Sequence, residues 1–134
     1  MNRSHGKLNE PTQRQLRVGE EIRHILSDIF GRGHGFNEFL LNNFVTITEV
    51  RVSPDLKHAK VFVMSMGGKN LDDVVNVLND MAGSIQGRMA KQLTIKFTPK
   101  LFFTADLSYD EAEKISRLIR LEHNRSTEGN DSSQ

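Results

Sequence analysis

Five histidines, a pair of adjacent aspartates and a glycine-rich run are the residues of this 134-residue chain best suited to chemistry. Their spacing points away from it. His5, His24, His34, His58 and His123 form no HExxH or HxH pattern, and none is placed to put two metal ligands on one face. His34, inside GRGHG, reads as a surface residue. Asp72 and Asp73 stand at the start of a helical stretch, where the helix dipole favours negative charge without any catalytic role. Ser53 has no partnered base. No GxxxxGKS or GxGxxG loop is present, and GRGHG follows a helix, whereas phosphate-binding loops follow a strand and open a helix. There is no cysteine, which excludes thiol catalysis, thiolate metal sites and disulfides. The sequence therefore predicts no enzyme, no metal, no cofactor and no small-molecule substrate.

What remains is cationic. Arg14 and Arg17 fall in the first turns of a helix, where the dipole disfavours them. Arg88 and Lys91 fall near a helix C-terminus, where the dipole alone explains them. Lys96 and Lys100 lie on the wet face of a strand. Each has an ordinary surface explanation, but Arg88, Lys91, Lys96 and Lys100 follow one another along a single stretch, as a phosphate-tracking surface would. Net charge is +1 overall, +3 over residues 14–100 and −3 over residues 105–134. A mildly basic body with an acidic tail suits a polyanionic partner and also suits ordinary surface charge.

These side chains need a scaffold, and the hydrophobic pattern supplies one. Length favours one domain: a flexible segment 1–11, a folded body 12–121 and a disordered, apolar-poor tail 122–134. Val18, Ile22, Ile25, Leu26 and Ile29 form one buried stripe on a helix over residues 12–30, stopped by Gly31. Residues 31–36 form a loop, with a helical turn over residues 37–41. Residues 44–52 and 60–66 predict an antiparallel hairpin around Pro54. The apolar face changes sides between Ile47 and Val50, which predicts a bulge near Thr48 or cover on both faces. Asn70 is a candidate N-cap for a helix whose apolar stripe, from Leu71 to Met89, runs through Gly83 and Gly87. Each glycine costs about 1 kcal/mol relative to alanine in a helix interior. The helix is expected to bend there and continue to residue 92, with the glycines allowing close packing or close approach of a partner. Residues 93–103 alternate as a strand, with Leu93, Ile95, Phe97, Leu101 and Phe103 inward and Pro99 marking an edge or a break. Ser108 and Glu111 predict a capping box for a last helix ending near Leu121. The order is that of a two-layer α+β fold. Nothing resembles a secretory signal or a membrane span.

Two stretches carry a resemblance to a known family. VTITEVRVSPDLKHAKVFV, and the run Pro99, Leu101, Phe103, Asp106 and Ser108 within LTIKFTPKLFFTADLSYDEAEKI, resemble bacterial ribosome-binding factor A over about residues 14–120. The resemblance implies a type II KH-like fold: a three-stranded sheet packed on helices, a helix–kink–helix and a C-terminal helix. KH modules bring backbone amides to phosphates at a GxxG loop. This family is similar but has an A-x-G kink, aligned here with Met81, Ala82 and Gly83, Met81 replacing the first alanine. The loop GRGHGFNEF departs from the family's acidic-proline pattern. The implied function is a cytoplasmic, monomeric, non-enzymatic assembly factor. It would bind the immature 30S subunit and its 16S rRNA, aid late maturation of the rRNA ends and matter most in the cold. Candidate RNA contacts are then Arg14, Arg17, Arg23, Lys57, Lys60, Gly83, Arg88, Lys91, Lys96 and Lys100, with Asp106 and Ser108 fixing the start of the last helix. The alternative is a general single-stranded RNA-binding KH module, which the missing GxxG disfavours.

Overall fold

Thr12 and Gln15 start the first helix. The Thr12 hydroxyl accepts from the Gln15 backbone N–H (3.1 Å), and the Gln15 side-chain oxygen accepts from the Thr12 N–H (2.9 Å). This reciprocal capping box satisfies donors that a helix start leaves unpaired. Helix α1 (Gln13–Arg32) carries the expected stripe, Val18 to Ile29, fully into the core. In the computed structural model, which describes residues 10–32 and 37–132, the chain continues through α2 (Glu38–Asn42), β1 (Thr46–Val52), β2 (His58–Met64), a short 3-10 turn, α3 (Leu71–Asp80), α4 (Ala82–Ala90), β3 (Lys100–Ala105) and α5 (Ser108–Ser132).

The sheet has the order β1-β2-β3, with β1 and β2 antiparallel and β2 and β3 parallel. The bulge falls at Thr48: Ile47 pairs with Val63 and Glu49 with Phe62, leaving Thr48 as the extra residue. That one residue explains the sided pattern. It lets Ile47, Val50 and Val52 all join Val61, Val63, Ala59, Leu101 and Phe103 on the face covered by α1, α3 and α4. Phe103 is wholly buried, worth about 1.5–3 kcal/mol relative to an exposed ring.

As the outer strand of a three-stranded sheet, β3 needs its free edge managed. Asn79 on α3 does this. Its Nδ2 donates to the Phe103 carbonyl (2.9 Å), and its Oδ1 accepts from the Phe103 N–H (2.8 Å), so one amide imitates a neighbouring strand. Asn79→Ala is expected to cost about 1–3 kcal/mol in urea unfolding, because both backbone groups lose their partner; a loss below about 0.5 kcal/mol would mean that water replaces the amide without penalty.

Several expected boundaries move. Helix α1 passes through Gly31 to Arg32, since one glycine near a helix end costs less than the turn it would forfeit. β1 starts at Thr46 because Phe44 before it sits at φ 48°, outside strand geometry. β2 lies two residues earlier than expected. Asn70 is not a side-chain N-cap: it adopts a left-handed conformation (φ 55°) and its Nδ2 donates to Asn43 (3.0 Å). The strand expected over residues 93–103 shrinks to Lys100–Ala105. Buried Pro99 has no N–H to extend the ladder, so residues 93–99 are irregular and Phe97, expected inside, is 72% exposed. The capping box at Ser108 and Glu111 does not form. Instead Asp106 accepts from the Ser108 N–H (2.9 Å) and hydroxyl (2.6 Å), so Asp106 and Ser108 do fix the start of α5. Helix α5 runs past Leu121 to Ser132. Residues 1–9 of the expected flexible segment 1–11, and residues 33–36 of the loop around His34, lie outside the described residues.

Candidate nucleic-acid interface

The β1–β2 turn is built by its own polar side chains. The Ser53 N–H donates to the His58 carbonyl (2.9 Å) and the Ser53 hydroxyl accepts from the His58 N–H (3.0 Å). Asp55 accepts from the Ser53 hydroxyl (2.6 Å) and the Lys57 N–H (3.0 Å). The Ser53 hydroxyl, then the Lys57 amide, hold the Asp55 carboxyl below its usual range. Leu56 turns the corner at φ 60°. Asp55 is thus occupied by the turn, and the Lys57 side chain is left exposed beside it.

Two further elements are docked against this turn. Gln15, 8% exposed, donates its Nε2 to the Val52 carbonyl (2.8 Å), which fixes the first turn of α1 and Arg14 with it. On the other side, the Lys100 N–H donates to the Lys57 carbonyl (2.9 Å). Glu21 accepts from both the Thr94 N–H (2.9 Å) and hydroxyl (3.0 Å), tying the irregular segment before β3 to α1. The result is a cleft of about 340 Å³ whose lining brings Arg14, Lys57, Lys96 and Phe97 together with Asp55 and the apolar Pro54, Leu56 and Ile95. Lys96 Nζ stands 5.4 Å from the centre of the exposed Phe97 ring. Cations flanking an open aromatic ring suit phosphate and base together.

The other expected contact residues are placed in three ways. Lys100 and Lys60 stand on the sheet face away from the helices, Lys100 beside the cleft. Arg17 is exposed on α1, and Arg23 is bound to Glu20 on the same helix, which holds Glu20 below its usual pKa. Lys91 caps α4 and is exposed; Arg88, in its last turn, is partly buried and engaged with a neighbour. The kink itself is Met81, the hinge between α3 and α4 (φ −95°, ψ 3°), with Met81 and Ala82 packed against the core and Gly83 exposed on the first turn of α4. A Cβ at Gly83 or Gly87 would meet no atom within 4 Å. The expectation that these glycines allow close packing is therefore overturned, and neither has a positive φ. Phe97 escaped the sequence reading because its alternation with Leu93 and Ile95 imitated a strand. Arg51 and Phe62 escaped it because the bulge hid which side of the hairpin is open.

Asp106, just past the end of β3, is held by three hydrogen bonds. The Ser108 hydroxyl, then the Thr48 hydroxyl and the Ser108 amide, hold its pKa below the usual range, with Arg51 adding attraction. A depressed folded pKa contributes stability that is present above the unfolded value, roughly 3.9, and is lost as pH falls through the folded one. Asp106→Asn is expected to lower the melting temperature by a constant amount near neutral pH, the gap to the parent closing only as both are acidified below the carboxylate range. A gap that persisted in acid would place the effect in shape, not charge.

Among the described residues no cluster of three or more histidines or acids could hold a metal, and no helix is long and apolar enough to cross a membrane. The fold and its surface define a small α+β domain of the KH-like class, with a helix–kink–helix and a cationic cleft at the turn end of its sheet. The sequence pattern of ribosome-binding factor A matches residues 14–119, and the chain belongs to that family. Ribosome-binding factor A of Zymomonas mobilis is 44% identical over 110 residues, 82% of this chain and 78% of the relative. The crystal structure of the Thermus thermophilus factor superposes with a TM-score of 0.56 at 16% identity, covering 68% of this chain and 94% of that one. A similar fold (TM-score 0.56, 15% identity, 69% and 96% covered) is that of a homology model of the Thermus thermophilus factor as fitted into the cryo-electron-microscopy map of a complex with the 30S subunit.

Proposed function

We propose that this protein is a non-enzymatic assembly factor that binds the immature 30S subunit through phosphates of 16S rRNA. The observation that carries this reading is the cleft: Arg14, Lys57 and Lys96, far apart in sequence, converge beside an exposed ring in a member of a ribosome-binding family. Lys100 and Lys60 extend the surface, and Gly83 offers bare backbone at the kink. Such a factor works by differential affinity. Binding one rRNA conformation more tightly than another shifts the population towards it, with no covalent step. Because misfolded RNA escapes slowly at low temperature, that shift matters most in the cold, during late maturation of the rRNA ends. The factor acts as a cytoplasmic monomer.

The test is co-sedimentation of the purified protein with 30S, 50S and 70S particles at two salt concentrations. Co-migration with 30S alone, weakened by salt, is the expected result. Tight binding to short RNA without any ribosomal association would instead favour the general single-stranded RNA-binding module.

A further inference from the structure

The sheet face turned away from the helices is open. Its cross-strand rows can be read from the register: His58 beside Lys100, then Arg51, Lys60 and Phe102, then Glu49, Phe62 and Thr104. Helix α5 leaves the sheet at Ser108 and its residues 111–124 are exposed, so it does not cover this face. Phe102 is 57% exposed at the centre of the edge strand. An aromatic ring on the wet face of an edge strand invites aggregation unless charge guards it, and here charge does. Lys60 pairs across to Phe102, while Arg51 and Lys60 stand 5.0 and 5.5 Å from the centre of the Phe62 ring. The one acid in these rows, Glu49, is taken by Arg51. The face is therefore cationic and aromatic, and through Lys100 it is continuous with the cleft at Lys57.

We infer that this open face is a stacking platform for unpaired RNA bases: exposed Phe102 takes a base plane, while Lys60 and Lys100 hold the adjoining phosphates and Arg51, paired with Glu49, covers Phe62 beside them. The inference rests on the proposed rRNA binding and adds to it a second surface that reads single strands. A sheet face carrying an exposed ring amid cations fits bases on a polyanion; an apolar protein partner would leave Lys60 and Lys100 unpaired on burial.

The chain has no tryptophan, so Phe102→Trp places a single indole on the face. Titrating that variant with oligoadenylate and oligouridylate of about ten nucleotides is expected to quench its fluorescence at low salt. Phe102→Ala is expected to weaken oligonucleotide binding by roughly 5- to 150-fold, the range for one lost base stack, with unfolding in urea little changed because the ring is mostly exposed. Unquenched indole, or Phe102→Ala binding oligonucleotide as tightly as the parent, overturns the platform. An indole that shifts with 30S particles but ignores oligonucleotides also overturns it, in favour of a protein contact. The two readings separate cleanly. Parent protein that co-sediments with 30S while Phe102 proves irrelevant leaves assembly-factor binding intact, whereas Phe102-dependent oligonucleotide binding without 30S association removes that reading and keeps the platform.

Discussion

Replacing Arg14, Lys57 and Lys96 together with glutamine is expected to weaken 30S association by on the order of a thousandfold at low salt, taking about 1.5 kcal/mol, the low end for a bond to a charged group, for each contact to phosphate. The salt dependence should change with it. Each neutralised phosphate contributes about 0.9 to the slope of log affinity against log salt, so the triple variant should lose about 2–3 from that slope. Wild type and variant then converge at high salt. The fold should survive, because all three side chains are exposed and the hydrogen bonds that build the cleft come from Gln15, Ser53, Asp55 and Glu21. Surface changes of this kind are usually within about 0.5 kcal/mol each. Lys69→Gln, an exposed cation in the turn before α3, serves as the control and should bind as the parent does. An unchanged slope in the triple variant would remove the cleft from the interface whatever the fate of the other cations.

That cleft was half visible in the sequence. Its cations stood out by type, and the helical stripe from Val18 to Ile29 placed Arg14 correctly because a helix face follows from spacing alone. The bulge at Thr48 was also visible, since a period-2 pattern that changes sides leaves few alternatives. What spacing cannot carry is contact between distant segments. Gln15 reaching Val52, Glu21 gripping Thr94 and Asn79 closing the edge at Phe103 are side-chain bonds with no periodicity. Residues 93–99 show the opposite failure. They alternate like a strand, yet Pro99 lacks the N–H for a ladder and the Thr94 N–H and hydroxyl both go to Glu21 on α1. Local pattern lost there to a single long-range anchor.

The glycines give the second large effect, with opposite signs at two positions. Gly83 drew notice in the sequence because it interrupts a regular stripe, whereas Gly19 did not. A Cβ at Gly19 would lie 2.8 Å from the Val50 carbonyl oxygen and 3.6 Å from Val52 Cγ2. The first is a backbone atom beside the bulge and cannot swing aside, so α1 must lift off β1. Overpacking of this kind costs about 1–3 kcal/mol. Gly19→Val, with two further methyls to place, belongs at or above the upper end. It should lower the melting temperature by at least roughly 12 °C, taking about 4 °C per kcal/mol. Gly19→Ala should fall between, because alanine's helix preference of about 1 kcal/mol offsets part of the clash. At Gly83 the added methyl meets open space. Gly83→Ala should therefore raise the melting temperature by a few degrees, the gain of up to about 1 kcal/mol that alanine brings to an exposed helix. If the kink is where rRNA backbone comes close, the same variant should sediment less with 30S particles despite its greater stability. A more stable protein that binds less well cannot be explained by damage to the fold, so the pairing isolates contact from packing. Gly83→Ala binding as the parent does would confine the interface to the cleft and the sheet, and Gly19→Val melting at the parental temperature would mean that α1 can ride higher over β1 than its contact with the Val50 carbonyl implies.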